Sequence, residues 1–365
     1  MNNNKNNLGV LGIHHITAIA GNPQKNIDFY TGILGLRLVK LTVNFDDPTT
    51  YHLYYGDGIG HPGTILTFFP WQHMPRGYRG TGQVVTISFL IPENAMEYWT
   101  SRLKNKGIEF TGPINRFDGN EQIITFYDPD GLELELVAHK VAEERKSRIW
   151  KNGPIPEDYA TRGFYTATIS LVGYERTASL LTNDMGFSKI KHEGSRFRFE
   201  IKNKENLVKN YSNTQKRELE LSMSSTSSST SIVDLVCLPL TKRGYMGVGT
   251  VHHIAWRTPT DESQIIMRKA IVNTGLDATP VIDRTYFHSV YFREPGGVLF
   301  EIATDSPGFM VDQKLEELGQ KLVLPKWLEP DRIYIEKILP SLTIKNINHN
   351  NSIDDSKAKK ENKSE

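Results

Sequence analysis

Four times along this chain of 365 residues, an alternating apolar strand leads into a helix and then into further strands, at intervals of roughly 60 to 90 residues. A repeat of that kind limits the architecture more than composition does. One such unit cannot bury its apolar face alone and must pair with a copy of itself. The first unit starts at Val10, enters a helix in "NPQKNIDFYTGILG" and continues through strands around "RLVKLTVNF", "YHLYYGD" and "GTILTFFPW". Pro23 after Asn22 marks the helix start, Ile27, Tyr30 and Leu34 keep helical spacing, and Gly35 closes it. The second runs from "QVVTISFLI" through "ENAMEYWTSRLKNKG" to "ITFYDPDGLELELVAHK". The third takes "FYTATISLVG", "ERTASLLTNDMG" and "SIVDLVCLP", and the fourth "GTVHHIAW", "DESQIIMRKAIVNTG" and "HSVYFREPGGVLFEIATDS". The order βαβββ is predicted for each, which makes the chain α+β.

Two echoes between units are sharper than the rest. His-His-Ile stands at 14–16 and again at 252–254, and "FYDPDGLELEL" matches "FREPGGVLFEI". In both hairpins a glutamate falls four places after the last glycine of the turn: Glu135 after Gly131, Glu301 after Gly297. Turn chemistry alone explains "DPDG" and "EPGG". The matching glutamates mark the same structural place in two units. Neighbouring strand residues point to opposite faces, so at most one histidine of the first pair shares a pocket with Thr17.

Composition narrows the function. Hydrophobic residues make up 38% and charged residues 23%, with net charge +1, and no Lys/Arg block stands outside the C-terminal tail, which excludes a nucleic-acid surface. The single Cys237 rules out an internal disulfide and a cysteine-based zinc site, as suits a reducing compartment. No apolar run approaches a membrane span, and the N-terminus lacks a secretory apolar core. The expectation is a cytoplasmic protein. The leader 1–8, the Ser-rich insertion at about 205–231 and the tail 345–365 have compositions that resist ordering. Between them the expected layout is an N-terminal stretch 9–145 holding units one and two, a C-terminal stretch 146–312 holding three and four, and a helical segment 313–344.

These motifs, with "RGF" at 162–164, "DRTYFHSVYF" and the terminal "LPKWLEPDRIYIEKILP", identify the chain as a member of the vicinal oxygen chelate superfamily. More narrowly it resembles that superfamily's ring-cleaving hydroquinone dioxygenases. The resemblance implies four modules in two tandem pairs, with curved mixed sheets cupping a metal held by His15, His253 and Glu301. It implies Fe(II), with Mn(II) as the second candidate, a small aromatic substrate and O₂. The insertion near 205–231 departs from a compact third module but lies far in sequence from these ligands.

Two imidazoles and one carboxylate on one face of a metal leave adjacent positions open, which suits dioxygen chemistry on Fe(II). Because both histidines must reach one ion, the first unit is expected beside the fourth. His14 and His252 read from strand alternation as structural histidines bonded to an adjacent strand or module; the resemblance implies instead that they approach the substrate from behind the ligands, which requires a bulge or a seam between modules. Thr17, Tyr291 and Arg284 complete the candidate substrate site. Tyr291 precedes Glu301 by ten places across a turn, so the two can face each other on paired strands. Arg284 otherwise reads as a surface ion pair with Asp283 or another carboxylate. His52, His61, His73, His139, His192, His288 and His349 read as structural or exposed. Two other functions stay open: a glyoxalase-type lyase on Zn or Ni, with Glu135 as a second carboxylate, and a metal-free protein that sequesters an aromatic compound. Self-association is left open.

Overall fold

The structure is a computed structural model and describes residues 9–151, 153–201 and 232–344; the leader, the Ser-rich insertion, the tail and His349 lie outside them. The four units appear in order. The first comprises β1 (Ile13–Ala20), α1 (Pro23–Ile27, continued by a π-helical stretch Asp28–Ile33), β2 (Arg37–Asn44), β3 (Asp47–Gly56) and β4 (Ile65–Pro70). Asn22 caps α1 by accepting from the Lys25 N–H, with Pro23 in the first turn. The second comprises β5 (Gln83–Ile91), α2 (Met96–Asn105), β6 (Phe110–Arg116), β7 (Glu121–Tyr127) and β8 (Glu133–Ala138). The third has β9 (Phe164–Leu171), α3 (Glu175–Asn183), β10 (Ser188–Glu193), β11 (Arg196–Glu200) and β12 (Ile232–Cys237). The fourth has β13 (Val251–Thr258), α4 (Asp261–Asn273), β14 (Ile282–Asp283), β15 (His288–Arg293) and β16 (Leu299–Thr304). A last helix, α5 (Arg332–Ile338), follows.

Within every unit the first strand pairs in parallel with the last. The units then join through their first strands. β1 pairs antiparallel with β13, and β5 with β9, giving two eight-stranded mixed sheets ordered β14-β15-β16-β13-β1-β4-β3-β2 and β10-β11-β12-β9-β5-β8-β7-β6. The units are tandem along the chain, yet in space the first pairs with the fourth and the second with the third. Each sheet therefore takes one unit from either side of residue 145.

Alternation assigns the faces. Ile16 and Ala18 of β1 and Ile254 of β13 enter one large core with Ile87, Ile169, Trp99 of α2, Leu181 of α3 and Met267 of α4. His15 and Thr17 point the other way, into a cavity of the first sheet. Both seams carry the same pair of bulges. Partners skip His14 and His252 in the first, Val85 and Tyr165 in the second.

The connections between units form a third repeat. "RGYRGTG" at 76–82 and "RGYMGVG" at 243–249 run against each other, Tyr78 and Tyr245 exchanging two backbone bonds of 2.8 Å. They cross so closely that a Cβ on Gly247 would fall 2.5 Å from the Pro75 carbonyl oxygen and 2.6 Å from the Gly77 nitrogen. Replacing Gly247 with Ala is expected to destabilise the protein by about 2 kcal/mol or more, since the blocking atoms are backbone. Gly32→Ala, which meets nothing within 4 Å, is the control, and denaturant midpoints compare the two.

Tyr30, in the π-helical stretch, donates to buried Asp128 Oδ2 at 3.0 Å, across the first and second units. Burial, against bonds that favour the charge, pushes the Asp128 carboxyl up to about 6. An acid whose folded pKa is raised stabilises the fold at low pH and loses that contribution as pH rises from about 4 to about 6, on the order of 2 kcal/mol. Asp128→Asn is expected to flatten this decline, measured as melting temperature between pH 4 and 8.

Candidate metal centre

The β1–β13 seam sets Thr17 opposite His253 and His15 opposite Ala255, while β13 in turn sets Ala255 beside Glu301 of β16. Three side chains thereby meet on one face. His15 Nε2 and His253 Nε2 lie 3.3 Å apart, and Glu301 Oε2 stands 3.2 Å from the first and 2.9 Å from the second. Among the described residues this is the group of histidine, cysteine and carboxylate side chains whose donor atoms converge closely enough to hold a metal ion. All three residues are buried.

The bulge histidines explain how the pair is presented. His14 Nδ1 lies 2.9 Å from His15 Nδ1, and His252 Nδ1 lies 2.7 Å from His253 Nδ1. In the tautomer in which His15 donates through Nδ1 to its neighbour, His15 Nε2 presents a lone pair to the centre, the form a metal-ligating imidazole takes. Burial lowers His14 well below the usual histidine range and brings His252 to about 3, so both are neutral at pH 7. Burial also lowers His253. Burial alone would raise Glu301; the positive charge that His15 and His253 carry when protonated outweighs it and holds its carboxyl well below the usual carboxylate range.

Glu301 Oε1 is satisfied by Ser289 Oγ at 2.6 Å, whereas Oε2 makes no hydrogen bond despite its short approach to both rings. The distances are those of an ion pair, but no proton is aimed at the oxygen. Two imidazole nitrogens and an orphaned carboxylate oxygen in a buried site are a donor set that fits a divalent cation.

A cavity of about 320 Å³ opens onto this centre, with Phe45, Tyr54, Phe69, Trp71, Phe287 and Leu299 as its apolar wall. Thr17, His252, Arg284 and Tyr291 line it as well. Tyr291 is paired opposite Glu301 on β15, its ring 5.7 Å from that of His253. Arg284 lies 5.6 Å over the Tyr291 ring and bridges to Asp46 Oδ2 at 2.9 Å, so that β14 is tied to the turn after β2 and the two edges of the sheet meet. Its carboxylate partner is Asp46 and not the adjacent Asp283. Burial, followed by Glu301, raises the Tyr291 phenol. His14 is absent from the lining; it sits behind His15 against Phe287, ring centroids 5.1 Å apart.

His52, expected to be structural or exposed, is among the residues around the cavity. The ring lines the cavity, its Nε2 2.9 Å from Thr67 Oγ1. No repeat or motif singles it out. Among the other histidines, His61 pairs with Asp57, His288 with Asp261, and His139 accepts from the Val141 N–H. Glu135 is held in the second sheet by Arg116 at 2.7 Å and Ser88 at 2.6 Å, away from His15.

Fold and centre together define a family. The chain belongs to the Glyoxalase/Bleomycin resistance protein/Dioxygenase superfamily, whose family model matches residues 12–136. Within it, the Bacillus subtilis protein named "Putative ring-cleaving dioxygenase MhqO" is 45% identical over 331 residues, 90% of this chain and 96% of its own. The "Chlorohydroquinone/hydroquinone 1,2-dioxygenase" of Sphingobium indicum is 29% identical, over 88% of this chain and 93% of its own. The crystal structure of a "putative dioxygenase from Bacillus subtilis subsp. subtilis str. 168" superposes with a TM-score of 0.81 at 44% identity, covering 93% of this chain and 99% of that one. Glyoxalase I from Zea mays, at TM-score 0.55 and 15% identity over 81% and 92%, shares the fold.

If His15, His253 and Glu301 are the ligands, Glu301→Gln removes the only anionic one. Metal bound after dialysis, measured by elemental analysis, is expected to fall at least tenfold with the far-UV circular dichroism unchanged. Glu135→Gln is expected to keep its metal; loss there would place the centre in the other sheet.

Proposed function

We propose that this chain is an Fe(II)-dependent dioxygenase that opens the ring of hydroquinone or a related substituted phenol next to a hydroxylated carbon. The observation that carries the reading is the orphaned Glu301 Oε2 within 3.2 Å of two imidazole nitrogens in an aromatic cavity. The ring-cleaving names of relatives aligned over nine-tenths of the chain support it. When bound, Fe(II) supplies open coordination positions and a path for electrons from an electron-rich ring to dioxygen. Mn(II) would satisfy the same donors. Glu135 stands in the other sheet, bound to Arg116, so it offers no second carboxylate for glyoxalase-type chemistry. The setting proposed is the cytoplasm, with a small aromatic substrate and O₂ as the partners.

The chain's own groups have distinct tasks. The apolar wall excludes water and seats the ring. The Arg284 guanidinium balances negative charge that develops on the substrate as its hydroxyl proton leaves. Tyr291, kept protonated by burial, presents a phenol proton beside the centre, where a general acid is needed. His252 offers a neutral ring whose Nδ1 is already engaged with His253. His14 acts through His15, whose Nδ1 it meets at 2.9 Å.

Iron-loaded protein is expected to consume O₂ with hydroquinone and to abolish the aromatic absorbance of the substrate. Tyr291→Phe is expected to retain its metal and lose roughly 10²-fold in kcat. Oxygen uptake by that variant equal to the parent at saturating hydroquinone would remove Tyr291 from the mechanism. Failure of the parent to consume oxygen with any hydroquinone or phenol would overturn the proposed reaction.

A further inference from the structure

We propose that His52 recognises the second hydroxyl of the substrate, the one opposite the oxygen held at the metal centre, and so sets a preference for 1,4-dihydroxylated rings over monophenols. This rests on the proposed ring-opening reaction. His52 stands on β3, two strands from β1 through β4, which is roughly 10 Å across the sheet. It lines the cavity from a different strand than any of the three candidate ligands.

Its orientation is fixed from below. His52 Nε2 bonds to Thr67 Oγ1 at 2.9 Å, and Thr67 bonds to Thr17 Oγ1 at 2.9 Å, both threonines being fully buried. Thr17 is the register partner of His253. One hydrogen-bonded row therefore crosses the sheet from beside the centre to His52. The imidazole is clamped between Tyr54 and Phe69, with ring centroids 3.9 and 4.3 Å away, while Nδ1 has no hydrogen-bond partner among the described residues. A neutral imidazole with one nitrogen anchored presents the other as either donor or acceptor, since the threonine hydroxyls can rotate to suit. A phenolic hydroxyl can answer either way.

The other polar groups of the cavity each hold a protein partner, and Arg284 and His252 keep the capacity that their own roles at the substrate need. Arg284 holds Asp46, His252 holds His253, and Asn44 Oδ1 accepts from the Asp46 N–H. Tyr291 stands at the metal end beside His253. A ring seated with one oxygen at the centre thus meets His52 at its opposite side, and a ring without that second hydroxyl leaves Nδ1 unanswered.

Equilibrium binding of hydroquinone and of phenol to the iron-loaded protein, measured by calorimetry with oxygen excluded, tests this. The parent is expected to bind hydroquinone about tenfold more tightly than phenol. His52→Phe keeps an aromatic ring in the wall and removes both nitrogens; its hydroquinone affinity is expected to drop to that of phenol, with phenol binding and metal content unchanged. His52→Gln, which restores a donor and an acceptor, should recover several-fold of the preference. Thr67→Val unties His52 without altering its ring and should lower the preference about threefold, which keeps the test intact if His52→Phe does not fold. A His52→Phe protein that still prefers hydroquinone tenfold would overturn the assignment, as would equal losses for both ligands, which would make His52 a structural residue. A parent that binds both rings equally overturns His52 recognition alone; a parent that binds neither overturns the ring-opening reading with it.

Discussion

The antiparallel seam between β1 and β13 is the interaction on which the rest of the first sheet depends. It joins strands whose key histidines are 238 residues apart in sequence, and it brings both into one face by register alone. The two bulges make that register productive. Each inserts one extra residue, His14 or His252, which turns its ring toward the Nδ1 of its neighbour. Without them, strict alternation would send the four rings to opposite faces in pairs, and no imidazole would be left to meet His15 Nδ1.

The second sheet shows that the bulges belong to the fold. Its seam skips Val85 and Tyr165 at the equivalent places, and by strand register Thr86 and Thr166 occupy the positions of His253 and His15. Glu135 occupies that of Glu301. With no imidazoles to meet, Glu135 is neutralised by Arg116, and the neighbouring Glu121 and Asp234 are bound by Arg198. One frame thus carries two solutions for a buried carboxylate. In one cup histidines leave its oxygen unanswered, and in the other guanidinium groups satisfy it.

Much of this was legible because the repeats are marked by residues of unusual kind. Paired histidines and a glutamate after a Gly-rich turn stand out from any strand pattern, and their number forced the first unit against the fourth. Tyr291 was legible by counting across a hairpin. His52 was not, since a lone histidine in an aromatic strand has no spacing to mark it; its place depends on which strands the sheet sets around the cavity. The same is true of Asp46, whose bond to Arg284 closes an edge no pattern reveals. The difference between His14, packed behind its neighbour, and His252, lining the cavity, is likewise a matter of local curvature around identical tripeptides.

The nested order of pairing also has a consequence in time. Joining β5 to β9 closes a loop of roughly 80 residues, while joining β1 to β13 without it would close one three times longer, at a further entropic cost. Once the inner pair has formed, the crossing ribbons around Tyr78 and Tyr245 hold the two outer units side by side, and the long closure becomes a short one. The hypothesis that follows is an order of assembly, inner sheet before outer, with metal captured only by a chain whose every other seam is already in place. Metal added at successive moments of refolding would be retained only in the final phase; uptake during the first phase would refute the order. On that account the ion is also a check on completed folding, because half-assembled chains own His15 and Glu301 but have nowhere to bring them together.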